Sequence, residues 1–110
     1  MGICYQEGKG VRRDIQKAIE WYEKAANQGD VSSQFNLGLL YEKDNNLIKA
    51  VEWYQKASEQ DDVNALNNLA LCYYYGQGVT IDKRKSKSLL IKAAFLGCEK
   101  AKENLAGMAF

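Results

Sequence analysis

The chain has 110 residues, 46% hydrophobic and 26% charged, so an intrinsically disordered protein is excluded and one folded domain is expected. Its formal net charge of +1 provides no overall field that would attract nucleic acid or an acidic membrane. The sequence contains no proline, which suits a mostly helical chain because proline in a helix interior costs about 3 kcal/mol.

No segment of the sequence predicts a membrane span or a signal peptide, because the apolar runs fall far short of the roughly 20 residues that a bilayer requires. Three cysteines, Cys4, Cys72 and Cys98, occur without a C-x-x-C pair and without any histidine, so no metal site is expected. We expect them to be buried, reduced side chains in a soluble protein of a reducing compartment such as the cytoplasm. A disulfide framework is the alternative.

An internal repeat is the main signal in the chain. The segment Tyr5–Gly29 aligns with Tyr73–Gly97 at a constant offset of 68 residues. A middle copy begins at Tyr41 and lacks the four residues that would carry Gly-x-Gly-Val. Repeats of this length are typical of solenoids, in which each unit buries its apolar face against its neighbours.

A second block precedes each tyrosine. Ser33–Tyr41 aligns with Ala65–Tyr73, and Ala101–Ala106 begins a last copy. The blocks predict four units: residues 1–30, a first unit with a truncated first helix; 31–62, with a shortened turn; 63–98; and 99–110, the first helix of a fourth unit.

Each unit is predicted to consist of two helices, A and B, because apolar residues recur at helical spacing. In helix A the stripe is Phe35, Leu37, Gly38 and Tyr41, and in helix B it is Ala18, Trp21, Tyr22, Ala25 and Ala26. We expect the small residues Gly38, Ala70 and Ala106 to let each A helix approach its B helix closely. The large residues Trp21, Trp53 and Leu89 are expected to fill the space between neighbours.

Capping residues mark the predicted helix ends. Asp14 and Asp82 stand at the expected N-caps of B helices, and Gly29 and Gly97 at the expected C-caps. Asp30 and Asp62 then precede the next A helices.

The combined pattern Leu-Gly-x-x-Tyr, Gly-x-Gly-Val-x-x-Asp-x-x-Lys-Ala and Trp-Tyr-x-Lys-Ala-Ala resembles the Sel-one-like repeat, a branch of the tetratricopeptide-like superfamily, over nearly the whole chain. This resemblance implies an all-α, right-handed α/α superhelix with a concave face built from A helices. It also implies scaffold or adaptor function. The middle copy departs from the pattern in its short turn, the third has Leu89 where tryptophan is usual, and Asp61 replaces a glycine. The cysteines do not form the pairs of a cysteine-rich bacterial branch.

Alignment to tetratricopeptide helices places a candidate partner-binding row on the concave face, called here the groove. Its residues are Ser32, Phe35, Leu39, Glu42, Asn64, Asn67, Leu71 and Tyr74. Apolar and aromatic side chains rimmed by polar ones indicate a protein-binding or peptide-binding surface, unless the superhelix closes and buries them. The lysines and asparagines with which some tetratricopeptide domains clamp a C-terminal carboxylate are missing.

A basic edge is predicted at the turns before two B helices, where it comprises Lys9, Arg12, Arg13, Lys83, Arg84 and Lys85. It could meet an acidic or phosphorylated partner or nucleic acid, or simply be solvated. The segments Gly8-Lys9-Gly10 and Gly76-Gln77-Gly78 predict helix-connecting turns, since neither has the spacing of a phosphate-binding loop.

Three functional hypotheses follow, and none involves catalysis or a cofactor, since no nucleophile–base constellation is present and histidine is absent. The first is an adaptor that binds a protein or peptide in the groove. The second is self-association through uncapped ends, because the C-terminal segment Ala106-Gly-Met-Ala-Phe110 is apolar. The alternative explanation of these ends is that the chain is a fragment of a longer repeat array. The third is binding of an acidic partner at the basic edge.

Overall fold

The computed structural model describes the backbone of residues 9–109 and the side chains of residues 14–109. The described residues form six α-helices and no strand, which confirms the predicted all-α class. The helices are α1 (Lys9–Asn27), α2 (Val31–Lys43), α3 (Leu47–Glu59), α4 (Val63–Tyr75), α5 (Lys83–Phe95) and α6 (Glu99–Gly107).

The helices alternate between the two predicted types. Helices α2, α4 and α6 are A helices, and α1, α3 and α5 are B helices. Each packs against the next in the chain, so the contacts run in series and give an elongated body of 40 × 31 × 24 Å. Serial packing of this kind is the structural definition of a solenoid.

Acidic and amide side chains begin several helices. Asp62 accepts a hydrogen bond from the Ala65 amide at 2.9 Å, and Asp82 accepts one from the Lys85 amide at 3.0 Å. The cap at Asp82 is the one that the sequence predicted for α5, and Asp62, which was expected only to precede α4, caps that helix. The turn before α3 has a cap that was not predicted, Asn46.

Left-handed backbone geometry ends the helices where it was expected. Gly29 and Gly97 follow α1 and α5 with φ of 94° and 102°, values that glycine adopts without steric cost. Asp61, which replaces the corresponding glycine, keeps the same conformation at φ 65°. Asn45 does so in the shortened turn, at φ 62°, and asparagine and aspartate tolerate this region better than other residues.

The prediction for the start of the first B helix was wrong. Helix α1 begins at Lys9, so Gly10 lies inside it and Asp14 occupies an interior position instead of an N-cap. A glycine within a helix costs only about 1 kcal/mol relative to alanine, and nothing in the following Val11-Arg12-Arg13 opposes helix formation.

Two helices approach each other closely at Gly38, in the second unit. A β-carbon placed on Gly38 would overlap the aromatic ring of Tyr54, which is completely buried. In the third unit Ala70 and Leu90 occupy the same two positions and are also fully buried. A small residue on helix A and a large one on helix B therefore form the contact that repeats along the solenoid.

One predicted space-filling residue is not buried. Trp53 is 9% exposed, whereas Trp21, at the same repeat position in α1, is 78% exposed. The difference arises because Trp21 lies on a face of α1 that no other described helix covers. The expectation that Trp21 fills space between neighbours was therefore wrong.

We predict that Gly38→Ala destabilises the protein by about 1–2 kcal/mol, because the added methyl group must displace the buried Tyr54 ring. Gly107→Ala is the matched control, since a β-carbon there has no neighbour within 4 Å. Urea denaturation followed by circular dichroism measures both. A Gly38→Ala variant as stable as the wild type would contradict the packing described here.

Candidate functional site

The groove residues differ in how far their side chains are exposed to solvent. Ser32, Glu42 and Asn64 are exposed; Phe35, Leu39, Leu71 and Tyr74 are half-buried; and Asn67 is buried. The superhelix therefore does not bury the whole row. Of the half-buried members, Phe35 and Leu39 pack against the hydrophobic core.

Helix α2 supplies the first part of this row. The Phe35 ring lies 5.9 Å from the Tyr54 ring, centroid to centroid, so its orientation is fixed by the core. Leu39 also packs on the core and borders a cleft of about 220 Å³ together with Tyr22, Asn36, Leu40 and Lys43. The α2 surface is thus apolar, with polar groups at its margin.

Helix α4 supplies the second part and is tied to α6. Asn104 donates a hydrogen bond to the Asn67 side-chain oxygen at 2.9 Å, which links the two A helices side by side. Asn67 is only 4% exposed, so its side chain holds the groove together and Asn64 presents the polar surface. Tyr74 accepts a hydrogen bond from the Ala109 amide at 3.2 Å.

A hydrogen bond joins α3 to Glu42, one of the predicted groove residues on α2. The Tyr54 hydroxyl donates to a carboxylate oxygen of Glu42 at 2.6 Å. Burial, and then this hydrogen bond, raise the pKa of Tyr54 above its ordinary value. Burial raises the pKa of the neighbouring Cys72 thiol to about 11, with a further contribution from the Glu42 charge. A thiol with such a pKa is protonated at neutral pH and is a poor nucleophile.

A similar tyrosine lies at the α1–α2 contact. The Tyr41 hydroxyl donates to Glu23 at 2.9 Å. Burial, and then this hydrogen bond, raise the pKa of Tyr41 to about 12. Both tyrosines therefore link helices through neutral hydroxyl groups.

The basic edge is described in part. Lys83, Arg84 and Lys85 are exposed at the start of α5. The side chain of Asp82 caps the N-terminus of this helix. The Lys83 ammonium lies 5.0 Å from the Tyr74 ring centroid and that of Lys85 lies 4.9 Å from the Tyr73 ring centroid. Cation–π contacts of this kind offset the unfavourable placement of positive charge at a helix N-terminus.

The other half of the basic edge falls in α1. Lys9, Arg12 and Arg13 have helical backbones, and their side chains lie outside the described residues. The role of the edge in binding stays a prediction.

A larger cleft of about 450 Å³ lies between α1 and α2, at a place that the sequence did not predict. It is lined by Ala18, Trp21, Tyr22, Ala25 and Ser33. The repeat alignment places Trp21 and Tyr22 at the positions that Trp53 and Tyr54 occupy in α3, but it does not show that they are exposed.

Cys72 and Cys98 are buried free thiols, as expected, and Cys4 lies outside the described residues. Within residues 14–109 no cluster of histidine, cysteine or carboxylate side chains could hold a metal ion. No helix in the described part of the chain has the length and apolar character that crossing a bilayer requires.

The family model of the Sel1 repeat matches residues 1–30, 31–62 and 63–98. The chain belongs to the Sel1 repeat family. Proteins of this family generally mediate protein–protein interactions and are typically non-enzymatic scaffolds.

Individual relatives agree with this assignment. Over 41 residues the chain is 46% identical to the putative sel1-like repeat-containing protein L21 of Acanthamoeba polyphaga mimivirus, a match that covers 37% of this chain and 8% of the relative. Over 44 residues it is 48% identical to the ERAD-associated E3 ubiquitin-protein ligase component HRD3B of Arabidopsis thaliana, covering 39% of this chain and 7% of the relative. The chain thus spans less than a tenth of these relatives.

The solved structure of c5321, a protective antigen of uropathogenic Escherichia coli with an SLR fold, superposes with a TM-score of 0.80. Sequence identity is 39%, and the match covers 96% of this chain and 23% of the antigen. The likeness over almost the full chain confirms the predicted solenoid.

We predict that stability falls as pH rises above about 10, because Tyr41 and Tyr54 have higher pKa values in the folded than in the unfolded state. Their contribution is complete below the unfolded pKa and is lost as pH rises toward the folded values. Urea denaturation of Tyr41→Phe/Tyr54→Phe between pH 8 and about 11 should show a shallower fall than the wild type.

The exposed Tyr75→Phe is the control and should follow the wild-type profile. If the double variant and the wild type lost stability in parallel, the two hydroxyls would not be the groups that titrate.

Proposed function

We propose that this protein is an adaptor that binds a protein or peptide segment in the groove. The observation that carries the proposal is the row of half-buried apolar and aromatic side chains on two neighbouring A helices, Phe35 and Leu39 on α2 with Leu71 and Tyr74 on α4. Apolar strips with polar margins mark interaction surfaces, and aromatic side chains are favoured anchors.

The groove is suited to a partner with apolar side chains and few charges. Phe35 and Leu39 are held by the core, so binding would cost little conformational entropy at these two side chains. The exposed polar margin, Ser32, Glu42 and Asn64, offers hydrogen-bonding groups at both helices. An amphipathic helix or an extended peptide has the complementary pattern.

Affinity purification with mass spectrometry tests the groove. The bait Leu39→Glu/Leu71→Glu introduces two charges into the apolar row, and Ile91→Glu places the same change on an apolar side chain of α5 that is 51% exposed. We expect partners of the wild type to be retained by Ile91→Glu and largely lost by the double variant. Recovery of the same proteins by all three baits would contradict a role for the groove.

Two controls keep this test interpretable. Circular dichroism and thermal unfolding show whether the double variant is folded. The second control is Asn64→Arg, which changes an exposed groove residue without altering the core. Repeating the purification at raised salt separates the basic edge, because binding through phosphate contacts weakens steeply with salt whereas apolar binding does not.

A further inference from the structure

Helix α5 combines positive charge with exposed apolar side chains in a way that α3 does not. Its sequence, KRKSKSLLIKAAF, contains five basic residues and no acidic one. Helix α3 instead has two lysines and two glutamates. At the C-terminal end of α5, Phe95 and the capping residue Leu96 are 89% and 45% exposed. The net charge of +1 for the whole chain therefore does not describe this part of the surface.

The exposure of Phe95 and Leu96 does not depend on whether another repeat unit follows α5. These residues occupy the repeat positions of Glu59 and Gln60 in α3, which are exposed although α4 and α5 follow them. The corresponding asparagine and glutamine at the end of α1 are exposed as well. The repeat geometry thus leaves both positions in solvent, and polar side chains occupy them in the two preceding units.

Three cations share the side of α5 on which these two apolar residues lie. At about 100° per residue, all five side chains fall within about 120° of arc around the helix. This side is directed away from the buried Ser86, Leu90 and Ala93. The positions equivalent to the three cations are also exposed in α1 and α3. We call this set of exposed residues the basic–apolar face: Arg84, Lys85, Lys92, Phe95 and Leu96.

Two carboxylates offset part of the positive charge of α5. The Lys92 ammonium lies 2.9 Å from a carboxylate oxygen of Asp61, but both side chains are more than half exposed, and such ion pairs are weak. Asp82 caps the N-terminus of the helix. Since the five basic residues outnumber these two carboxylates, the face keeps a positive charge beside its apolar end.

We propose that the basic–apolar face docks on the surface of a lipid bilayer that contains anionic lipids. Lysine and arginine are attracted to anionic headgroups, and exposed phenylalanine and leucine side chains enter the boundary between headgroups and acyl chains. A bilayer surface accommodates a ring that protrudes from a helix, whereas a protein partner would need a pocket that encloses it. The helix lies at the surface and does not cross the bilayer.

This proposal goes beyond the adaptor function and uses a different part of the molecule. The groove is formed by the A helices α2 and α4, whereas the basic–apolar face belongs to the B helix α5. Docking through α5 therefore leaves the groove residues available to a protein or peptide. The attraction is local, because screening confines it to about 10 Å at 0.1 M salt.

Co-sedimentation of the 110-residue chain with lipid vesicles tests the proposal. The probes are phosphatidylcholine vesicles with and without about 30% phosphatidylserine. At about 0.05 M salt the chain should bind the anionic vesicles at least roughly tenfold more tightly than the neutral ones. At about 0.5 M salt most of this binding should be lost, because screening weakens the attraction between the cations and the headgroups.

Two double variants separate the apolar from the basic part of the face. Phe95→Asn/Leu96→Gln introduces the two residues that α1 carries at these positions, where the fold already accommodates them. Arg84→Glu/Lys85→Glu reverses two exposed charges in the first turn of α5, where the helix dipole favours acidic side chains. Each variant should bind anionic vesicles roughly tenfold or more weakly than the wild type.

The matched control is Ile48→Gln, which changes a 64% exposed apolar residue of α3 to the residue that α1 has at the same repeat position. It should bind like the wild type, and circular dichroism shows whether each variant is folded. The absence of binding to anionic vesicles, or equal binding to neutral ones, would overturn the proposal. Wild-type binding by Phe95→Asn/Leu96→Gln would do so too, since charge alone would then explain the attraction.

A protein partner of the same face is tested in parallel with a fluorescein-labelled peptide of alternating glutamate and leucine. Fluorescence anisotropy measures its binding to the wild type and to the two double variants. If the peptide bound through these residues while the anionic vesicles stayed unbound, the face would belong to an acidic protein partner and the membrane proposal would be wrong.

Discussion

The contact between a small residue on an A helix and a large residue on a B helix is the interaction on which the rest of the structure depends. At Gly38 the absence of a side chain lets α2 approach α3 until the Tyr54 ring fills the gap. Its burial positions the Tyr54 hydroxyl to reach Glu42 and brings Phe35 against the same ring. The Tyr54 ring thus joins Gly38, Glu42 and Phe35 of α2 in one set of contacts.

The same small-on-large contact recurs in two successive units. Gly38 packs on Tyr54 in the second unit, and Ala70 and Leu90 are fully buried at the equivalent positions of the third. Among the groove residues, Leu39 and Leu71 are half-buried. Trp21 and Ala106 are exposed, whereas Trp53 and Ala70, at the equivalent repeat positions, are buried.

Most of the helix order could be predicted from the sequence, because residues at equivalent repeat positions occupy equivalent places in successive units. Asp62, Asp82, Gly29 and Gly97 were placed correctly, since capping depends on local backbone needs. Asp14 was not, because the preceding residues are compatible with helix and α1 extends back to Lys9. The exposure of Trp21 was not predicted either, since periodicity identifies an apolar face without showing whether another helix covers it. Likewise the hydrogen bond from Asn104 to Asn67 joins residues 37 positions apart, and no local pattern encodes it.

Native-state hydrogen exchange on a dilute sample tests most directly the claim that stacking of A on B helices stabilises the molecule. Amides of α3 and α4, which have packed neighbours on both sides, should exchange only through global unfolding. Amides of α1 and α6, each of which packs mainly on one described helix, should exchange faster, through local opening. Equal protection of all six described helices, or greater protection of α1 than of α3, would contradict the account.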